Sequence, residues 1–246
     1  MKNITRRWLR QLLQWGLQLR SQPMPLSSAV TLIIAPHQDD ETLGCGGLIV
    51  LKRMQAHPVQ VAFLTDGAAS HPHRSATVLA GQRREEAGCA LSSLGLAPDQ
   101  VHFFAAPDGR LPHLDPAAAE DLVARLTGLI VRLQPDEVFL PYRHDGSTEH
   151  TAAFALARQA LARSGSSARV FEYPIWAWWS PRLLLRPLCT APGVFRLRLA
   201  GAEVRKQEAL GCYRTQIEAL APAREPVLPA DFVALFSRDE EYFFQG

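Results

Sequence analysis

At 246 residues, 47% of them hydrophobic and 20% charged, the chain is long and apolar enough for one large domain with a full core. That excludes a disulfide-stapled miniature fold, and a formal net charge of +2 argues against nucleic acid as the main partner. The charge is uneven: Lys2, Arg6, Arg7, Arg10 and Arg20 fall in the first 38 residues with no acid among them, so the rest of the chain stands at a formal −3.

Residues 1–22 are predicted to form a helix. Ile4, Trp8, Leu12, Trp15 and Leu19 recur at spacings of three and four and mark one stripe, with Arg7, Arg10, Gln14 and Gln18 opposite. Such a basic amphipathic helix is suited either to lie on an anionic membrane surface or to pack on the domain or on a second subunit. It is too short and polar to span a bilayer and lacks the clear cleavage site of a signal peptide. Residues 21–28 read as a proline-containing linker, which divides the chain into an N-terminal segment, 1–28, and a main domain, 29–246.

An α/β rhythm then begins. The apolar run Val30 to Ala35 reads as a strand buried on both faces. Pro36-His37-Gln38-Asp39-Asp40-Glu41 follows, and then a helix near 43–56. Strands are predicted near 58–64, 101–104, 136–140 and 169–173. Helices are predicted near 75–95 and 116–133 and from His150 to about Arg163. Strands alternating with helices imply a mostly parallel sheet. Residues 174–193 form a Trp-rich insertion containing Trp176, Trp178 and Trp179. This segment reads as a lid, as a membrane-facing patch or as a flap over the N-terminal helix. Residues 195–199 alternate as an edge strand does, 203–218 read as one helix, and the tail over 232–244 as a last short strand.

One imidazole and three carboxylates thus sit at the carboxyl end of a central strand, where open α/β sheets bind ligands. Three consecutive carboxylates repel one another without a cation, and imidazole with carboxylate suits Zn²⁺ or a similar ion. The best further ligand is His150, which also follows an apolar run. Gly44-Cys45-Gly46-Gly47 lacks the third glycine of a dinucleotide fingerprint, since Ile49 stands there. The four cysteines contain no Cys-x-x-Cys pair, which leaves a thiolate zinc site without support. Their wide spacing predicts reduced, buried residues in a cytosolic protein.

His37-x-Asp39-Asp40-Glu41, with Glu149-His150 later in the chain, resembles the two motifs of the PIG-L/LmbE-like family of zinc-dependent N-deacetylases. The resemblance implies a Rossmann-like three-layer α/β sandwich with a mostly parallel sheet, carrying here an added N-terminal amphipathic helix. It implies that His37, Asp40 and His150 hold Zn²⁺, or Fe²⁺, and that Asp39 is the general base toward a zinc-activated water. Arg83, in an Arg-x-x-Glu helix, and Asp108, in an Asp-Gly turn, match positions that contact the sugar in that family. Lys206 with Thr215-Gln216 matches its Lys…Ser-Gln helix.

One position departs from the pattern. The family's inner histidine of the second motif, which supports the oxyanion, is Ser147 here. His144 or Arg143 is the candidate stand-in from the same loop, with Asp145 as a supporting residue. The expected function is hydrolysis of the acetamide of an N-acetylated amino sugar, free or lipid-linked, in the cytoplasm or at the inner membrane surface, with oligomerisation left open. The competing reading is a weak or silent relative that binds sugar or membrane.

Overall fold

The computed structural model describes residues 2–245, and side chains from Trp8 onward apart from Pro181. Ile4 and Arg7, which the sequence assigns to opposite faces of the first helix, lie outside the described side chains. Eight strands form one sheet: β1 (Gln22–Pro23), β2 (Thr31–Ala35), β3 (Val59–Thr65), β4 (Val101–Ala106), β5 (Glu137–Pro141), β6 (Arg169–Tyr173), β7 (Gly193–Arg198) and β8 (Glu240–Gln245). Their spatial order is β1-β7-β8-β6-β5-β2-β3-β4. All neighbouring pairs are parallel except β8, which runs antiparallel to both β6 and β7.

The strand order reverses at β2. The chain runs outward through β3 and β4, then returns to place β5 on the other side of β2. The carboxyl ends of β2 and β5 are therefore neighbours, and the loops that follow them meet there. Open α/β sheets form their ligand crevice at such a reversal. This reversal joins His37 to His150 across more than a hundred residues of sequence.

Alternation along the strands sorts side chains to two faces. Ile33, Phe63 and Phe139 enter one buried cluster, together with α2 (Asp40–Met54) and α3 (Ala76–Ser93). Leu32, Ile34, Val138 and Leu140 enter the other, with α4 (Pro116–Leu133) and α5 (Thr148–Ser164). The result is the three-layer sandwich expected from the sequence. Differences lie in the C-terminal third. The predicted helix over 203–218 is two helices separated by Gly211-Cys212-Tyr213. The expected edge strand is interior, because Gln22 and Pro23 pair beyond it and β8 fills its other side. Antiparallel insertion of a tail strand is not coded in local periodicity.

Helix α1 (Lys2–Arg20) does not pack on the domain through the predicted stripe; another face turns inward. Leu13 and Leu17 are buried and Leu9 partly so, while Gly16 sits against Leu188. Trp8, Leu12, Trp15 and Leu19 are exposed, each by more than 60%. The Trp-rich insertion packs inward. Trp178 is buried against Tyr242, and Trp176 and Trp179 lie on Phe232 with ring centroids 4.7 and 5.7 Å away. Of the three, Trp178 is buried and Trp176 and Trp179 are half-buried. It is the short helix Leu185–Thr190 and the turn before it that meet α1. Among the described residues no helix is long and apolar enough to cross a membrane.

The cysteine expectation is also corrected. Cys89 and Cys212 form a disulfide, with Cα atoms 6.0 Å apart, and Cys189 is exposed. Only Cys45 is free and buried, and burial pushes its thiol pKa well up. A spacing of 123 residues hides a pair that tertiary structure brings together.

The glycine run of α2 serves close packing. A Cβ on Gly44 would meet the Tyr173 ring at 2.4 Å, and one on Gly47 would meet Leu199 at 2.2 Å. This approach lets a buried ion pair engage the helix backbone. Glu241 accepts from Gly47 N and Leu48 N, while Lys206 Nζ donates to Leu43 O and to Glu241 at 2.8 Å. Replacing one partner of such a pair leaves a buried charge uncompensated. Lys206→Met should lower unfolding free energy by about 3 kcal/mol in urea titration. A loss of under about 1 kcal/mol would mean that water already compensates Glu241.

Candidate metal centre and its cavity

Strand β2 ends at Ala35, and the chain turns into α2 within four residues. Asp39 occupies the N-cap with φ 151°, a region that side chains other than glycine rarely adopt. Its backbone N donates to Glu41 Oε2 at 3.0 Å. The turn splits the three carboxylates. Asp39 and Asp40 line a cavity of about 450 Å³, whereas Glu41 points away. Glu41 accepts from Tyr213 and Thr42 hydroxyls, and burial raises its pKa to about 7.

Asp40 Oδ2 stands between two imidazoles, 3.1 Å from His37 Nδ1 and 3.4 Å from His150 Nε2. Burial works to raise the Asp40 pKa, yet the two rings hold it far below the usual carboxylate range. Burial works to lower His150, yet Asp40 and Asp145 push it up to about 9. The outer ring nitrogens also face carboxylates. His37 Nε2 lies 3.1 Å from Asp108 Oδ1, and His150 Nδ1 lies 2.8 Å from Asp145 Oδ2. Asp145 in turn accepts from the backbone N of Ile175, Trp176 and Ala177. His150 is fully buried, and neither of its contacts has hydrogen-bond alignment.

This donor set fits a divalent cation. The ligand atoms of His37, Asp40 and His150 lie within 4.8 Å of one another. Each imidazole is backed by a carboxylate on its far nitrogen, the arrangement that fixes tautomer and ring orientation in metal sites. A second group, His37 with Asp108 and Glu149, shares the His37 ring. There the same imidazole turns its other nitrogen to the ligand position.

Asp39 sits beside the triad. Burial raises its pKa to about 6, against the pull of Arg83. Arg83 Nη2 donates to Gln38 O and approaches Asp39 Oδ2 at 3.4 Å. Its Nε and Nη1 are buried with no protein partner among the described residues, on the cavity wall. Glu86 does not pair with Arg83, as a simple helix-face reading would have it. It accepts from Thr215 N and Oγ1 and so fixes the segment carrying Gln216, another cavity residue.

The stand-ins for the inner histidine are not brought to this cavity. Arg143 bonds Glu172, and His144 lies edge-on to Tyr142; both line a separate cavity of about 260 Å³. Ser147 has a local task that histidine performs poorly. It is the N-cap of α5, its hydroxyl accepting from His150 N at 3.3 Å. Asp108, expected against the substrate, is tied to His37 and to Ala69 N. Sequence reading missed Leu183 and Phe232 on the cavity wall, because nothing local marks an apolar residue as cavity-lining.

Residues 32–161, more than half of the chain, match the family described as PIG-L, GlcNAc-PI de-N-acetylase. The chain belongs to the PIG-L family. Its fold is shared with solved structures of differing chemistry. An N,N'-diacetylchitobiose deacetylase from Pyrococcus horikoshii is 21% identical, with 87% of this chain and 79% of that chain covered and a TM-score of 0.60. The A40926 pseudoaglycone deacetylase Dbv21 is 18% identical, covering 89% and 97%, with a TM-score of 0.65. The 4-carboxy-2-hydroxymuconate hydratase GalB from Pseudomonas putida KT2440 is 20% identical, covering 85% and 83%, with a TM-score of 0.62. At these identities the likeness is one of fold, and the chemistry has to be argued from side chains.

Removing a carboxylate behind a metal-binding imidazole lowers metal affinity by about 10- to 100-fold. Asp145→Asn should do so in a chelator competition titration. Unchanged affinity would mean that Asp145 serves only the backbone amides of residues 175–177.

Proposed function

We propose that this PIG-L family chain is a metal-dependent hydrolase that removes acetyl from an N-acetylated amino sugar. The observation that carries the reading is the convergence of three metal-type donors, His37, Asp40 and the buried His150, at a cavity that His37 and Asp40 line together with the buried carboxylate of Asp39. His37, Asp40 and His150 would hold Zn²⁺ or Fe²⁺, since imidazole and carboxylate suit both. When bound, such an ion supplies Lewis-acid polarisation of the acetamide carbonyl and acidifies water.

The chain's own residues take the remaining parts. Asp39 accepts the proton of the attacking water and returns it to the departing amine. Its backbone, held at φ 151°, turns the carboxylate toward the cavity while the next residue faces the two imidazoles. Arg83, whose guanidinium lines the cavity beside Asp39, is the cationic donor nearest to where sugar hydroxyls would lie. Trp176 and Phe232 supply an apolar wall, and both line the cavity. Asp108 and Asp145 hold the two imidazole rings.

The hydratase relative shows why fold alone is insufficient support. A silent, sugar-binding reading leaves unexplained a carboxylate kept buried and strained beside the donors. The test is acetate release from N-acetylated amino sugars by protein loaded with zinc or with iron. Asp39→Asn should lower turnover by about 10²- to 10⁴-fold while metal content stays unchanged. Full turnover in this variant, or no acetate released by the wild-type chain from any N-acetyl sugar, would refute the assignment.

A further inference from the structure

Helix α1 carries two apolar faces, and the fold uses one. Leu9, Leu13, Gly16 and Leu17 pack inward against the segment that contains Leu188. The remaining face, Trp8, Leu12, Trp15 and Leu19, is 64, 63, 61 and 68% exposed. Four large apolar side chains in one exposed stripe exceed the scattered hydrophobics of an ordinary surface. No described residue covers them.

The charge of the surroundings selects what does. Residues 1–38 contain five basic residues and no acid, and residues 174–193, on which α1 packs, add Arg182 and Arg186 with no acid. Arg20, Arg182 and Arg186 are exposed. Glu240 accepts from Gln18 of the helix and is already engaged by Arg196 and Tyr242. A second copy docked on this stripe would set one acid-free basic helix against another. A surface of anionic headgroups over hydrocarbon matches both features, and tryptophan suits that boundary, where one end of the ring is wet and the other apolar.

We propose that the Trp8–Leu12–Trp15–Leu19 face of α1 docks on an anionic lipid bilayer. The docking face is coupled to the cavity through few residues. The turn Pro181–Leu184 contacts α1, and the same turn with its preceding residue brings Leu183 and Ser180 to the cavity wall. Bilayer contact therefore sets the cavity close to the membrane surface, where a substrate with a lipid tail presents its headgroup.

The test is independent of any turnover. Full-length protein is mixed with vesicles of phosphatidylcholine alone or of phosphatidylcholine with phosphatidylglycerol, and co-sedimentation is read at low and high salt. The wild-type chain should partition onto the anionic vesicles, less at high salt and less onto neutral ones. The double variant Trp8→Ser/Trp15→Ser should lose about tenfold or more in partition. Both side chains are exposed, so the unfolding midpoint should hold. The exposed-charge variant Arg20→Gln/Arg182→Gln should weaken the anionic preference and leave the stripe intact. Equal partition of wild-type and tryptophan-variant protein would overturn the proposal, as would no partition onto anionic vesicles. A wild-type dimer in vesicle-free solution that the tryptophan variant dissolves would assign the face to a second copy and overturn it too.

Discussion

Three consecutive carboxylates, Asp39, Asp40 and Glu41, are buried where β2 meets α2. Burying an unpaired charge costs far more than a fold can spare, so each needs its own partner. Each finds it on a different element. Asp39 faces Arg83 of α3, Asp40 faces His150 of α5 as well as its own neighbour His37, and Glu41 accepts from Tyr213 in the turn after the helix that holds Lys206. One turn of backbone thereby fixes the distance between the sheet reversal and three elements around it. The positive φ of Asp39 is the local cost of pointing successive acids in different directions.

The same electrostatics connects structure to chemistry. Two imidazoles sharing one carboxylate oxygen, each backed by a further carboxylate, form a set that a divalent cation completes. The side chains behind the donors are themselves held by backbone: Asp145 by three amides and Asp108 by Ala69 N. Rigidity of that kind is what a site needs if its geometry is to be set before substrate arrives.

Much of this was legible in the sequence. The apolar runs before His37 and before Tyr142 located β2 and β5, and the metal-type residues after them marked the crevice. What local pattern could not reveal was pairing between distant segments. The second apolar face of α1, Leu9, Leu13 and Leu17, went unread because the Trp8–Leu19 stripe is equally apolar, and periodicity ranks hydrophobicity without naming a partner. Cys89 and Cys212 met through α3 and the Gly211–Tyr213 turn, which no spacing rule anticipates. His144 and Arg143 lay close to Ser147 in sequence yet face another cavity, because Glu172 on the neighbouring strand draws Arg143 away. Ser147 itself was readable as a helix cap, a role that the motif comparison obscured.

The central claim is that β2 and β5 deliver one divalent cation to His37, Asp40 and His150. Anomalous diffraction from crystals of the zinc-loaded protein tests it most directly. The account predicts one strong peak bounded by His37 Nδ1, an Asp40 oxygen and His150 Nε2. A peak held instead by His37 Nε2, Asp108 and Glu149, or no ordered peak at saturating zinc, would contradict it.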